Sequence, residues 1–406
     1  MNFKSFNIPR QIVYTILPLA LIIMGDSILY VILPTNYEFF EINAFLGIPF
    51  EFWIGFILSI NRFVRFFSNI YSTKIIRNIG FRNSILLACV TGASSTLSYA
   101  LFKGVVLIVI ARIVWGFSYS IFRLSYQLKV FSYDQNNFGK YLGFCLGVQR
   151  LGSFFVVTIG VIISVKFGNF LALLLLSTLL IPALFITLKI KDIDTSNFAA
   201  KKINWNLFYA DQNKSRRNNI IMISFFKFSS SFTSNGLAIA TITPFLFDIN
   251  NNLYSKPLII SIAGFVVGFR WIADIFFGII FGAISDKFGR NINIILSTIL
   301  MLISIILAIM GLSFVISVVC IILMFFFSVA LETSLDALLG EISPKNDKPS
   351  IVSRYSTWQD LGAAFGPILG FLFAINLGIT FGYYFSIILI GLSLIFYFLS
   401  STNREN

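Results

Sequence analysis

The chain has 406 residues, 57% hydrophobic and 12% charged, with a formal net charge of +13. A soluble domain is about 45–50% apolar and about 25% charged, so water is excluded as the solvent for most of this surface and lipid takes its place. The basic excess does not indicate nucleic acid, because the lysines and arginines fall in short loops between apolar runs.

There is no histidine, so any proton step must use carboxylates or another non-histidine relay. Cys89, Cys145 and Cys320 lie within apolar runs without metal spacing and read as small core residues; no metal or cofactor is expected. No G-x-x-x-x-G-K-[ST] run occurs, which argues against ATP-driven work by this chain alone. The opening MNFKSFNIPR is polar, and the apolar run after it is too long for a signal peptide, so it is expected to remain as a membrane span.

A membrane-crossing helix needs about 20 apolar residues. Twelve segments reach that length, at about 12–34, 47–69, 84–102, 104–127, 140–165, 167–188, 219–247, 257–283, 292–312, 314–339, 353–377 and 379–400. They are too long and too uniformly apolar for barrel strands, so the expected fold is an all-α membrane protein. Between the sixth and seventh spans lies a polar stretch, Lys189 to Asn219, with seven basic residues and three acidic ones. With the N-terminus inside, 20 of the 30 basic residues fall on the inner side, which supports the count of twelve and cytoplasmic termini.

The two halves repeat. Pro34 and Pro244 are 210 residues apart, Arg62 and Arg270 208, and Gly80 and Gly289 209. Gln149-Arg150-Leu151-Gly152 is matched 210 residues later by Gln359-Asp360-Leu361-Gly362. A parallel duplication follows: an N-terminal six-helix bundle at 1–188, a cytoplasmic basic linker at 189–218 and a C-terminal six-helix bundle at 219–406. Spans 3, 6, 9 and 12 contain no Asp, Glu, Lys or Arg, whereas the other eight each carry at least one. Charge in hydrocarbon is costly unless it faces protein or water, so every third span is expected to face lipid and the other eight to surround a central cavity.

Twelve spans as six plus six, a basic central loop and every third helix peripheral resemble the major facilitator superfamily. Gly282-Ala283-Ile284-Ser285-Asp286-Lys287-Phe288-Gly289-Arg290 is similar to its G-x-x-x-D-x-x-G-R loop, at the place of the second copy. The first copy is degenerate: Gly80 and Arg82 are kept, but Arg77 stands at the acidic position and Thr73 at the first glycine. Arg112-Ile113-Val114-Trp115-Gly116 resembles the family's R-x-x-x-G motif in span 4. Gly362, Gly366, Pro367 and Gly370 form a G-x-x-x-G-P-x-x-G pattern in span 11; drug antiporters of the family carry a similar one in span 5, which here has no proline. The resemblance implies alternating access and makes Gly282, Asp286, Gly289 and Arg290 a latch between the bundles; a solvated surface turn is the alternative.

Asp26 and Arg112 lie at similar depth, so they could form a proton-coupling pair, a static structural pair, or no pair. Glu332 and Asp336, spaced i, i+4, could share a proton or be matched separately by neighbouring cations. Gln149, Arg150, Gln359 and Asp360 are candidates for substrate or gate contact, with Arg150 and Asp360 expected to attract across the cavity. Arg62 and Arg65 lie near the inner third of span 2, on one helix face. Arg65 is close enough to the inner surface to snorkel, whereas Arg62 is deeper and needs a partner. Arg270 could be satisfied by Asp274, with substrate or gate contact the alternative for Arg62 and Arg270. Lys227 is expected to snorkel toward the inner surface.

The function expected is secondary active transport of a small solute by a monomer in the lipid bilayer of a bacterial cytoplasmic membrane, coupled to protons. Efflux by antiport is one possibility. The alternatives are proton-coupled import of an anionic metabolite, favoured by seven interior basic residues against five acidic ones, and a transport-inactive sensor or scaffold of the same fold. No enzymatic role is expected.

Overall fold

The computed structural model describes residues 8–133, 138–193, 214–250, 252–344 and 348–401. These residues form twelve helical spans. Helix α1 runs Arg10–Ser27 and resumes at Leu29–Ile32; α2 is Phe50–Ile79, α3 Phe81–Leu101 and α4 Val105–Phe131. Helix α5 runs Phe138–Phe155, widens into a π-helical turn at Val156–Gly160 and continues as Val161–Phe167, and α6 comprises Asn169–Thr178 and Leu180–Thr187. In the second half α7 runs Lys214–Ser231, passes a π-helical turn at Phe232–Leu237 and continues as Ala238–Asp248. Then follow α8 Lys256–Phe288, α9 Arg290–Ile309, α10 Phe314–Ile342, α11 Lys348–Leu377 and α12 Thr380–Ser401. Among the described residues the one element of extended pairing is an isolated bridge between Phe45 and Ile48. Most of the segment read as a linker lies outside the described residues.

Ten spans are long and apolar enough to cross a membrane by composition alone. The other two are α2, diluted by Arg62 and Arg65, and α7, which opens on the polar run Lys214–Asn219. Several helices outlast the expected apolar segments on the face that carries the first and last helix ends. Thus α2 reaches Ile79, α8 Phe288 and α10 Ile342, and α11 already begins at Lys348. Hydropathy marks the thickness of the hydrocarbon; the helix continues while residues such as Lys74, Arg77 and Lys287 still favour it.

The duplication is visible in the packing. Gly80 and Gly289 end α2 and α8 with φ of +89° and +94°, a backbone that side-chain-bearing residues resist. Gly152 lets α5 lie directly on the carbonyl of Ala20 in α1, and Gly362 lets α11 lie on that of Phe228 in α7. The halves meet along two equivalent seams, α2 against α11 and α5 against α8. A Cβ on Gly55 of α2 would stand 2.7 Å from the carbonyl oxygen of Pro367 in α11. Its counterpart Gly264 in α8 faces the carbonyl of Val157 in α5, at the π-helical turn, still more closely. Val157 and Pro367 are themselves 210 residues apart. Helix irregularities thus stand at matched sites where the two halves touch.

These contacts lie toward the face away from the termini, where Leu29–Ile32 of α1 also packs on Ala238–Asp248 of α7. Here Ser231–Thr243 is buried without interruption. Helices α6 and α12 turn large apolar side chains outward, among them Ile181, Phe185, Ile388 and Ile395, and α9 exposes a stripe of Ile292, Leu296, Ile299 and Ile303. These helices lie at the periphery, as an uncharged span should.

Gly264→Leu is expected to pry this seam open, because the side chain meets backbone on a packed helix and not a flexible tip. Cysteine-accessibility labelling at Gly268, one turn further on, should rise in the variant; unchanged labelling would show that the seam tolerates the bulk.

Candidate functional site

Arg112 of α4 is fully buried and forms an ion pair with Asp26 of α1. Its Nε donates to the carbonyl of Ile57 at 2.8 Å and its Nη2 to that of Leu58 at 3.1 Å, both on α2. Asn61 Nδ2 adds a hydrogen bond to Asp26 at 3.3 Å. One turn on, Gly116 passes the Asn61 carbonyl so closely that a Cβ would lie 2.8 Å away. The R-x-x-x-G run is thus one helix face: the arginine reaches into α2 and the glycine allows α4 close enough for it to do so. The pair is tied to three helices and is 4% exposed at Asp26.

Arg62 of α2 donates to the carbonyl of Ala363 in α11. Four residues after Ala363 stands Pro367, which has no N–H to complete that helical bond. The guanidinium therefore caps a carbonyl that the proline releases. Arg65, one turn further, places its guanidinium 3.7 Å from the ring centre of Tyr119. The Tyr119 hydroxyl accepts from Gln149 Nε2 at 3.0 Å.

The second half carries a larger network. Lys227 of α7 is not a snorkelling lysine: it is 2% exposed and donates to Glu332 at 3.2 Å and Asp336 at 2.9 Å, both on α10. The i, i+4 carboxylates that it bridges hold it inside the bundle. Glu332 also accepts from Ser230, Ser234 and Asn235, and Arg270 Nη2 lies 3.6 Å from it. Asp336 accepts from the Tyr355 hydroxyl and keeps 54% of its side chain exposed. Arg270 pairs with Asp274, one turn on.

Among the described residues two ion pairs cross between the halves. Arg123 of α4 meets Asp360 of α11 at 3.1 Å, and Arg150 of α5 meets Asp274 of α8 at 3.2 Å while lying 4.5 Å over the Trp271 ring. Arg150 and Asp360 occupy equivalent positions but do not pair, because each seam runs between unlike helices: α5 faces α8, and α11 faces α2 with α4 behind it. Arg123 was reachable from the sequence as a charge in span 4, but matching by internal symmetry passes over it. Gln359 contributes its carbonyl to the Ser231 hydroxyl at 2.8 Å.

In the loop motif, Gly289 makes the turn, and Arg290 bonds Asp286 at 3.3 Å and Glu341 of α10 at 2.9 Å. These partners all belong to the second half, so in this conformation the motif joins α8, α9 and α10 to one another. A Cβ on Gly282 would stand 3.8 Å from the Thr333 methyl group, an ordinary contact. Among the described residues no three Cys, Asp or Glu side chains converge as a metal site.

Twelve spans in two related halves, with charge gathered at their seam, define a helical membrane protein built of two six-helix units. Residues 228–406 match the Major Facilitator Superfamily. The whole chain superposes on a bacterial homolog of the human lysosomal transporter Spinster, solved in an inward-facing and unoccupied conformation, with a TM-score of 0.76 at 12% identity over 97% of both chains. It also superposes on a variant of the nucleoside transporter NupG, with a TM-score of 0.72 at 14% identity over 97% of this chain and 99% of that one. No curated protein matches it by sequence alone. By sequence over residues 228–406 the chain is similar to the Major Facilitator Superfamily, and over its length it shares the fold of these two transporters.

Removing one member of a buried ion pair strands the other, at a cost of about 3–5 kcal/mol in soluble proteins. Asp26→Asn should therefore lower the melting temperature in detergent markedly. Replacing the pair together, Asp26→Asn with Arg112→Gln, should recover part of the loss. Equal losses in the single and double variants would show that the pair is not what holds α1, α2 and α4 together.

Proposed function

We propose that this chain is a secondary active transporter that moves a small solute across a bacterial cytoplasmic membrane by alternating access, coupled to protons, with both termini in the cytoplasm. The bundles are taken as 1–188 and 219–406, joined by a cytoplasmic linker at 189–218, and the working unit as the monomer. The basic residues gathered on the terminal face support that orientation. Closure of both seams at the opposite face, with the mid-depth charges still partly exposed, corresponds to access from the cytoplasm. The inward-facing conformation of the Spinster homolog favours the same assignment.

The observation that carries the coupling proposal is the single ammonium of Lys227 held between two carboxylates, one enclosed and one open. Glu332 has five donors around it and is matched as an anion. Among the described residues Asp336 has only Lys227 and the Tyr355 hydroxyl, and its open side is where a proton can arrive. Protonating Asp336 removes one of the two anions that hold Lys227, leaves the ammonium to Glu332 and changes how α7, α10 and α11 are tied together. Asp26, locked by Arg112 and Asn61, is then a structural pair and not the coupling group. The proposal is the same for antiport efflux and for symport.

The test is solute-driven proton movement in proteoliposomes. Asp336→Asn should keep solute exchange between equal pools and lose proton movement. If Asp336→Asn couples normally while Asp26→Asn does not, the coupling site belongs in the first half.

A further inference from the structure

The ion pairs leave a remainder. In the first half the interior cations are Arg62, Arg65, Arg112, Arg123 and Arg150, against Asp26 alone; in the second half Lys227 and Arg270 face Asp274, Glu332, Asp336 and Asp360. Every one of those carboxylates is engaged: Asp26 by Arg112, Asp274 by Arg150 and Arg270, Asp360 by Arg123, and Glu332 and Asp336 by Lys227. Two cations remain, Arg62 and Arg65, and among the described residues neither has a carboxylate within ion-pair distance. They stand one turn apart on α2, on the same helix face.

Their present contacts do not neutralise them. Arg62 rests on the Ala363 carbonyl, which any uncharged donor could cap. Arg65 rests on the face of Tyr119, and its Nε is buried without an acceptor. Next to Tyr119, Gln149 gives its N–H to the tyrosine hydroxyl while its Oε1 is buried without a donor. Two adjacent guanidinium groups repel each other in a medium of low dielectric, so a solvated or bound anion is what such a site lacks. The group lies beyond the midplane of a hydrocarbon layer about 30 Å thick, toward the terminal face. Counted at about 1.5 Å per residue, Arg62 and Arg65 are roughly 18 and 22 Å from the far end of α2, and Tyr119 is roughly 21 Å from the far end of α4.

We infer that Arg62 and Arg65 form the substrate site of this carrier, and that it takes a small organic oxyanion, a carboxylate or phosphate group. The guanidinium forks supply paired donors to the oxyanion. Tyr119 supplies a flat wall, and Gln149 Oε1 accepts from a hydroxyl or amine on the body of the solute. Arg123 stands one turn beyond Tyr119 on α4, and its bond to Asp360 can loosen to admit the charge. The inference rests on the carrier reading, but not on proton coupling.

Binding to the purified protein in detergent, without any gradient, separates the two. A panel of small carboxylates, phosphate esters and inorganic phosphate is compared with the corresponding amides, alcohols and amines, and the melting temperature is followed against concentration. Anions should stabilise the wild type and their uncharged counterparts should not. A response to phosphate esters but not to carboxylates, or the reverse, assigns the oxyanion; a response to inorganic phosphate alone removes the organic part of the inference. For the stabilising anion, Arg65→Gln should weaken binding by about tenfold or more, the scale of one charge-assisted hydrogen bond, with Arg65→Lys in between. A merely structural role would shift the melting temperature of the free protein and leave the anion's affinity unchanged. The inference fails if no anion stabilises the wild type, if neutral or cationic solutes do so instead, or if Arg62→Gln and Arg65→Gln bind the anion as the wild type does. Loss of proton movement in Asp336→Asn vesicles would leave it intact.

Discussion

A charge inside a membrane protein must be matched by a partner or by water, and that requirement organises this molecule. Twelve interior charges are spread over eight helices, and the positions of those helices follow from how the charges are satisfied. Arg112 draws α1 and α2 to α4, Lys227 draws α10 to α7, and Arg123 and Arg150 bridge from one half to the other. The helices whose apolar spans carry no charge are free to face lipid, and α6, α9 and α12 do so with aliphatic stripes. Lipid offers little drive for helices to associate, so close packing and polar contacts must supply it. Here they coincide, as where Gly116 admits α4 to α2 and Arg112 fixes the approach.

The duplication places the same device twice. At one seam a glycine of α2 lies on the backbone of α11 beside Pro367; at the other a glycine of α8 lies on the backbone of α5 at its π-helical turn. Proline and a π-turn both disturb the regular helical bonding. Sequence symmetry is lost at these points, since Val157 is not proline, while the mechanical likeness is kept. The polar contents of the halves have diverged more. The first half is rich in arginine and the second in carboxylates, so the seam is a boundary between unlike fields, and both charged bridges cross it with the cation on the first half.

Much of this was legible in the chain. Length and spacing of apolar runs gave the twelve spans, because lipid leaves helices as the way to satisfy so much backbone. A constant offset near 210 gave the duplication, and depth counted along the helices put Asp26 and Arg112 at one level. What stayed hidden depended on which helices meet. Arg150 and Asp360 were matched by symmetry, but symmetry relates them without making them neighbours. Lys227 lay near a helix end in sequence, where snorkelling is the ordinary outcome, and the i, i+4 carboxylates of α10 that hold it inside come from a helix 105 residues away. The bond from Arg62 to Ala363 needed Pro367 to be seen as releasing a carbonyl, and α2 and α11 to be seen as adjacent.

Under the proposed alternating access, the closed face is one position of a gate and not a permanent seal. The most direct measurement is the distance between spin labels on the two halves at that face, on exposed Glu38 and Leu253, each replaced by cysteine with the three buried native cysteines removed. The closed arrangement should dominate under one set of conditions, and a second, longer population should grow as pH or solute is varied. A single short distance, unchanged across pH and solute, would contradict alternating access and leave the fold with a static role.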